Sequence, residues 1–260
     1  MTYGETTVCD SSGICNLLAC RFSELFNNSV TQNDRLLTES FDDNIMVLNN
    51  ITLNRERITL ALKQLDPAKG CGSDGIPPLF LKNCAYSLAE PLCYIFNRSL
   101  GTGVFPDAWK VAKVTPVLKS GDSTSVTNYR PISVLPAASK VLETIICPIL
   151  CDHIKPYITC HQHGFMKLRS TTTNLVDFVE YLTQALDSRL EVDVVYTDMS
   201  KAFDSVPHDI LVEKLYRFGI VGNMLEWFKS YLNKRKFYVV VNGFSSEVYD
   251  IKSGVPRAPI

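Results

Sequence analysis

The sequence predicts an α/β (α+β) fold, and three observations lead there. Apolar residues recur at helical spacing over most of the 260 residues. Two short β-type runs flank a Gly/Ser/Thr turn near residue 120, and Asn242-Gly243 lies between two more. Helices alternating with so few strands call for a mixed domain.

Residues 14 to 30, ICNLLACRFSELFNNSV, have the helical period and lead into a polar stretch that runs to about residue 50. LNRERITLALKQLDPAKG is a second helix, with Asn54 as its N-cap and Pro67 and Gly70 as its stop. GCGSDGIPP is a loop. The helical period then returns from Leu79, with Pro91 marking a break or a new start.

WKVAKVTPVLKSGDSTSVTNYRPISVLP predicts the two short strands and their turn. Two helices follow, SKVLETIICPILCDHIKPYI and STTTNLVDFVEYLTQALDSRL, the second capped by Ser170 or a following Thr. The run Val194-Val195-Tyr196-Thr197 reads as a buried strand with Asp198 near its carboxyl end. Helices at about 208–219 and 222–234 precede a hairpin turning at Asn242-Gly243.

An apolar fraction of 46% and a charged fraction of 20% fit a soluble globular protein. No apolar run is long enough to cross a bilayer, and MTYGETTVCDSSG lacks the regions of a signal peptide. The nine cysteines are odd in number and irregularly spaced, as expected of reduced intracellular thiols. The net charge of −1 hides an asymmetry. Residues 101 to 170 carry eight Lys/Arg against Asp107, Asp122, Glu143 and Asp152, a stretch suited to a polyanion groove or to a solvated face.

The chemistry concentrates at Asp198. A buried carboxylate at a strand end needs a metal, a cationic partner, a helix N-cap role or a salt bridge. An Asp-x-Asp phosphatase site is excluded because position 200 is Ser, and KGCGSDG lacks the Gly-Lys-Ser/Thr ending of a phosphate loop. Cys147, Cys151, His153, Cys160, His161 and His163 match no standard zinc spacing. FDDN at 41 to 44 reads as a solvated loop or helix cap.

Five stretches together resemble one family in the family's own order. They are KGCGSDGIPPLFLKN, WKVAKVTPVLKSGDSTSVTNYRPISVLPAASKVLE, QHGFMKLRSTTTNLV, VYTDMSKAFDSVPH and IKSGVP. The set is similar to the reverse transcriptase of non-LTR (LINE-type) retrotransposons. The resemblance implies a right-hand polymerase: a helical and polar lead-in at 1–54, then fingers and partial palm at 55–260. It implies an RNA template, a DNA primer, deoxynucleoside triphosphates and two Mg²⁺ ions, with Mn²⁺ as a possible substitute. It also implies an intracellular setting, a nuclear or cytoplasmic ribonucleoprotein, with no membrane partner.

By the same resemblance Asp198 is the first palm carboxylate and a metal ligand. Met199 borders the triphosphate together with Ser200 and Lys201, and Ala202 and Phe203 lie under the incoming sugar. Lys119 and Arg130 neutralise the triphosphate, and Gly254 opens the loop along template and nucleotide. Asp204 takes a structural role, such as capping the helix after Pro207.

The sequence departs from the family at Leu168, where a glycine is usual, and at Arg257-Ala258-Pro259, where Gln-Gly-Ser is usual. The Asp-Asp hairpin and the thumb do not occur within the 260 residues. The expectation is therefore a fingers-palm fragment, thumb and part of the palm missing, that does not polymerise DNA alone. The alternative is a catalytically dead retroelement relic with at most weak nucleic-acid binding.

Overall fold

A computed structural model describes residues 1–4, 6–26, 45–199 and 202–255. FDDN, the Ser200-Lys201 pair, Arg257-Ala258-Pro259 and the far end of the first predicted helix lie outside them. The chain forms two compact units, one of Met1–Leu150 with Lys201–Ile260 and one of Cys151–Ser200.

The larger unit opens on a two-stranded ribbon, β1 (Thr2–Tyr3) with β2 (Thr6–Thr7). Helix α1 (Ser11–Leu25) starts three residues before the sequence suggests, because the Asp10 carboxylate accepts from the Gly13 N–H at 2.8 Å. Helix α2 (Arg55–Lys63) begins as expected, with Asn54 Oδ1 accepting from the Arg57 N–H at 3.0 Å. The break expected at Pro91 falls instead at Cys84, between α3 (Pro78–Asn83) and α4 (Ala85–Thr102). Pro91 is inside α4, where Ala89, Leu92 and Phe96 bury one stripe on both sides of it. Packing of that stripe carries the helix across the missing hydrogen bond.

Strands β3 (Val111–Leu118) and β4 (Tyr129–Val134) form the predicted antiparallel pair, with Val117 opposite Arg130. Helix α5 (Ala137–Ile154) follows. After α6 (Thr171–Asp187) in the smaller unit come α7 (His208–Arg217) and α8 (Gly222–Leu232). Strand β5 (Arg235–Val241) turns into β6 (Phe244–Ser245) through Asn242 and Gly243, both at positive φ as a tight hairpin turn of this kind requires. The last strand, β7 (Tyr249–Ile251), pairs antiparallel with β5.

The central sheet is mixed because β5 lies parallel to β3, with Val111 beside Lys236. Helix α1 covers one of its faces. Leu18, Phe22 and Phe26 close on Ala112, Val114, Phe237 and Val239 in a continuous apolar core. A second core is aromatic: Phe105 meets Trp227 and Tyr231 edge-on at 5.3 and 5.0 Å, and Trp227 stacks on Tyr231 at 5.5 Å.

In the smaller unit α6 carries the predicted cap. Ser170 Oγ accepts from the Thr173 N–H at 3.2 Å, and Thr173 Oγ1 accepts from the Ser170 N–H at 2.9 Å. The preceding loop is tied to this helix by His163, whose Nε2 lies 3.0 Å from Arg169 Nη1 and 3.3 Å from the Asp177 carboxylate.

Leu168 has a φ of +65° and is 92% exposed, which explains why a glycine suits that position. An L-residue there costs about 1–2 kcal/mol with no packing to offset it. Leu168→Gly is expected to stabilise the loop at 159–170 by about 1 kcal/mol, read as slower amide exchange there. Unchanged or faster exchange would contradict the strain.

Candidate functional site

Apart from Asp198 and Met199, the candidate residues fall on three segments of the larger unit. Lys119 and Arg130 stand at the far end of the β3–β4 pair, both exposed, with the Lys119 N–H donating to the Asn128 carbonyl at 2.8 Å. The turn between them is held by Asp122. Its carboxylate accepts from the Thr124 N–H at 2.8 Å and from Thr124 Oγ1 at 2.6 Å, and these bonds hold the Asp122 carboxyl below its usual range. Two exposed cationic residues thus stand at the turn end of a braced strand pair.

Ala202 and Phe203 form the second segment, in a turn, with Phe203 44% exposed. The third segment, Ser253 to Val255, is clamped against it. The Gly254 N–H donates to the Val206 carbonyl and the Val255 N–H to the Phe203 carbonyl, each at 2.9 Å. Ser253 Oγ lies 3.0 Å from the Asp204 carbonyl and 2.9 Å from that of Phe26. His208 Nε2 donates to the Gly254 carbonyl at 2.7 Å.

Gly254 is required here for two reasons. Its φ is +81°, and a Cβ would lie 2.7 Å from the Asp204 carbonyl oxygen and 2.8 Å from the Asp204 Cα. Two stretches that the sequence keeps about 50 residues apart therefore share one backbone junction.

Asp204 lies three residues before the N-cap of α7. That helix starts from Pro207 with no side-chain cap, while Asp204 is 5% exposed and lines a cavity of about 20 Å³. Arg235, Ser133 and Ser253 line the same cavity, which has room for about one water.

Asp198 and Met199 belong to the smaller unit. The strand expected at 194–197 is not formed. Residues 191–199 have no regular secondary structure, and Val195, Tyr196, Asp198 and Met199 are exposed. β-branched and aromatic residues favour a strand only where a ladder accepts them, and among the described residues no strand pairs with this run. Tyr196 instead meets the Phe178 ring of α6 at 6.4 Å.

Sequence reasoning missed Arg235. NKRKF looks like a solvated basic run, yet strand alternation puts Arg235 on the same face as Phe237, and it is only 1% exposed. Its Nη1 donates to the Tyr231 carbonyl at 3.0 Å and its guanidinium stacks 4.7 Å from the Tyr231 ring. Nearby, burial raises both the Glu143 carboxyl and the Tyr231 phenol.

Residues 117–259 match the model of the family described as "Reverse transcriptase (RNA-dependent DNA polymerase)". The chain belongs to that family. It is 30% identical, over 82% of its length, to "RNA-directed DNA polymerase from mobile element jockey" of Drosophila melanogaster, covering 23% of that protein. It is 31% identical, over 79% of its length, to "Probable RNA-directed DNA polymerase from transposon BS" of the same species, again covering 23%. The "Retrovirus-related Pol polyprotein from type-1 retrotransposable element R2" of Popillia japonica is 28% identical over 64% of the chain and 22% of that protein. The chain thus spans about a quarter of the curated relatives it matches. No helix among the described residues is long and apolar enough to cross a membrane.

Proposed function

We propose that residues 55–260 form the fingers and part of the palm of an RNA-directed DNA polymerase of a non-LTR retroelement, preceded by a lead-in at 1–54. The observation that carries this reading is the family match over 117–259, which takes in Lys119, Arg130, Asp198, Met199, Ala202, Phe203 and Gly254. The substrates are an RNA template, a DNA primer and deoxynucleoside triphosphates, and the setting is an intracellular ribonucleoprotein.

Among the described residues no group of three or more His, Cys, Asp or Glu could hold a metal ion. Asp198 offers one exposed, hard oxygen donor. That suits Mg²⁺ or Mn²⁺ bound by one or two carboxylates plus substrate phosphates, and does not suit an all-protein cage. When bound, the metal makes a primer hydroxyl more acidic and offsets triphosphate charge. Asp198 contributes a ligand. Lys119 and Arg130 hold the triphosphate, Arg130 through a bidentate fork. The Met199 backbone borders it, and Phe203 presents a ring edge to the sugar that disfavours a 2′-hydroxyl. Gly254 lets backbone approach template and nucleotide closely.

The test is Mg²⁺-dependent binding of a fluorescent deoxynucleoside triphosphate to the 260-residue chain. Lys119→Ala with Arg130→Ala should weaken it by at least about 100-fold, since each charged hydrogen bond is worth about 1.5–3 kcal/mol. Asp198→Ala should remove the Mg²⁺ dependence. Affinity unchanged in both variants overturns the reading, and RNA binding without any nucleotide binding favours the non-catalytic alternative.

A further inference from the structure

A basin of about 500 Å³ opens at the start of β5, and His208, Lys234, Arg235, Lys236, Asp250 and Lys252 are among its lining residues. It is separate from the cations at 119 and 130. Lys236 is paired beside Val111 in the parallel β3–β5 register, whereas Lys119 follows Leu118 at the other end of β3. Seven residue steps separate Val111 from Leu118, about 23 Å of strand.

The charge in this basin is poorly compensated. Lys234, Lys236 and Lys252 are exposed, and among the described residues none of them forms an ion pair. The one acid in the lining, Asp250, stands across the strands from Lys236. Asp107 is held 2.8 Å from Lys110 and feels Lys234 only as a weaker influence. Arg235 also lines the basin, but it is buried, and its charge is met from inside the unit by Glu143.

We propose that this basin binds phosphate groups, with Lys234, Lys236 and Lys252 supplying the charge. The shared chemistry is the phosphate oxyanion, carried either by free phosphate or by a nucleic-acid backbone. The assignment does not depend on the polymerase reading, because it uses none of the residues that reading places around the nucleotide.

The experiment has two arms on the 260-residue chain. In the first, inorganic phosphate is titrated against chloride at matched ionic strength while the unfolding temperature is followed. In the second, a short fluorescein-labelled RNA is titrated at several salt concentrations. Lys236→Glu with Lys252→Glu tests the site and, being exposed, should leave the fold intact by circular dichroism. The same reversals at Lys69 and Lys214, exposed lysines outside the basin, are the control.

A saturable phosphate-induced rise that disappears only in the basin variant, with RNA affinity unchanged, supports a free-phosphate site. RNA affinity at least tenfold weaker in the basin variant, with the salt slope reduced by about 1.4 for two lost contacts, supports a backbone site. If the basin variant matches the control in both arms, the proposal is overturned.

Discussion

Gly254→Ala is expected to lower the stability of the larger unit by about 2–4 kcal/mol, seen as a fall in the urea midpoint. The methyl group would lie 2.7 Å from the Asp204 carbonyl oxygen and 2.8 Å from the Phe203 carbonyl oxygen. Both are backbone atoms with hydrogen-bonded neighbours, so neither yields as a flexible side-chain tip would. The φ of +81° adds a second cost for any L side chain. The substitution should also displace Phe203, because the Val255 N–H bond to its carbonyl is made from this junction. If the proposed nucleotide site is correct, triphosphate binding should therefore weaken in Gly254→Ala even below the temperature at which it unfolds. An unchanged urea midpoint would mean that the 203–206 and 253–255 stretches are not clamped together.

What the sequence made legible was mostly local. Asn54 and Ser170 act as caps because each side chain reaches an amide three residues ahead, an interaction that needs no tertiary information. Asn242-Gly243 turns a hairpin because both residues tolerate positive φ. The ordered family stretches gave the polymerase kinship. Long-range choices were not legible. Nothing in KVAKV or in RKFYV announces that these two runs lie parallel, because the residues paired are 125 apart (Val111 and Lys236). The burial of Arg235 follows from that pairing and from the aromatic rings at Phe105 and Tyr231, so a run of basic residues concealed it. The Val194–Thr197 run failed in the opposite sense. Its composition is that of a strand, but a strand exists only with a partner, and composition does not supply one.

Trp227→Ala is expected to cost about 3–5 kcal/mol, enough to remove a third or more of a typical domain's stability. Trp227 is 2% exposed and stands where α8 meets α4. Its ring touches Phe105, Phe228 and Tyr231 within 5.5 Å, so truncation removes contacts on several sides at once. Its Nε1–H donates to Ser99 Oγ at 2.9 Å, and that hydroxyl donates in turn to the Val104 carbonyl at 2.7 Å, closing the end of α4. Trp227→Phe separates the two contributions. It keeps most of the ring area but leaves Ser99 without its donor, and should cost about 1–2 kcal/mol. Tyr231 stacks on Trp227 and also holds Arg235 through its ring and carbonyl, so the alanine variant should loosen Arg235 as well. Urea unfolding followed by far-ultraviolet circular dichroism avoids relying on the tryptophan being replaced. Equal midpoints for the alanine and phenylalanine variants would mean that the hydrogen bond to Ser99, and not the packed ring, sets the contribution of this residue.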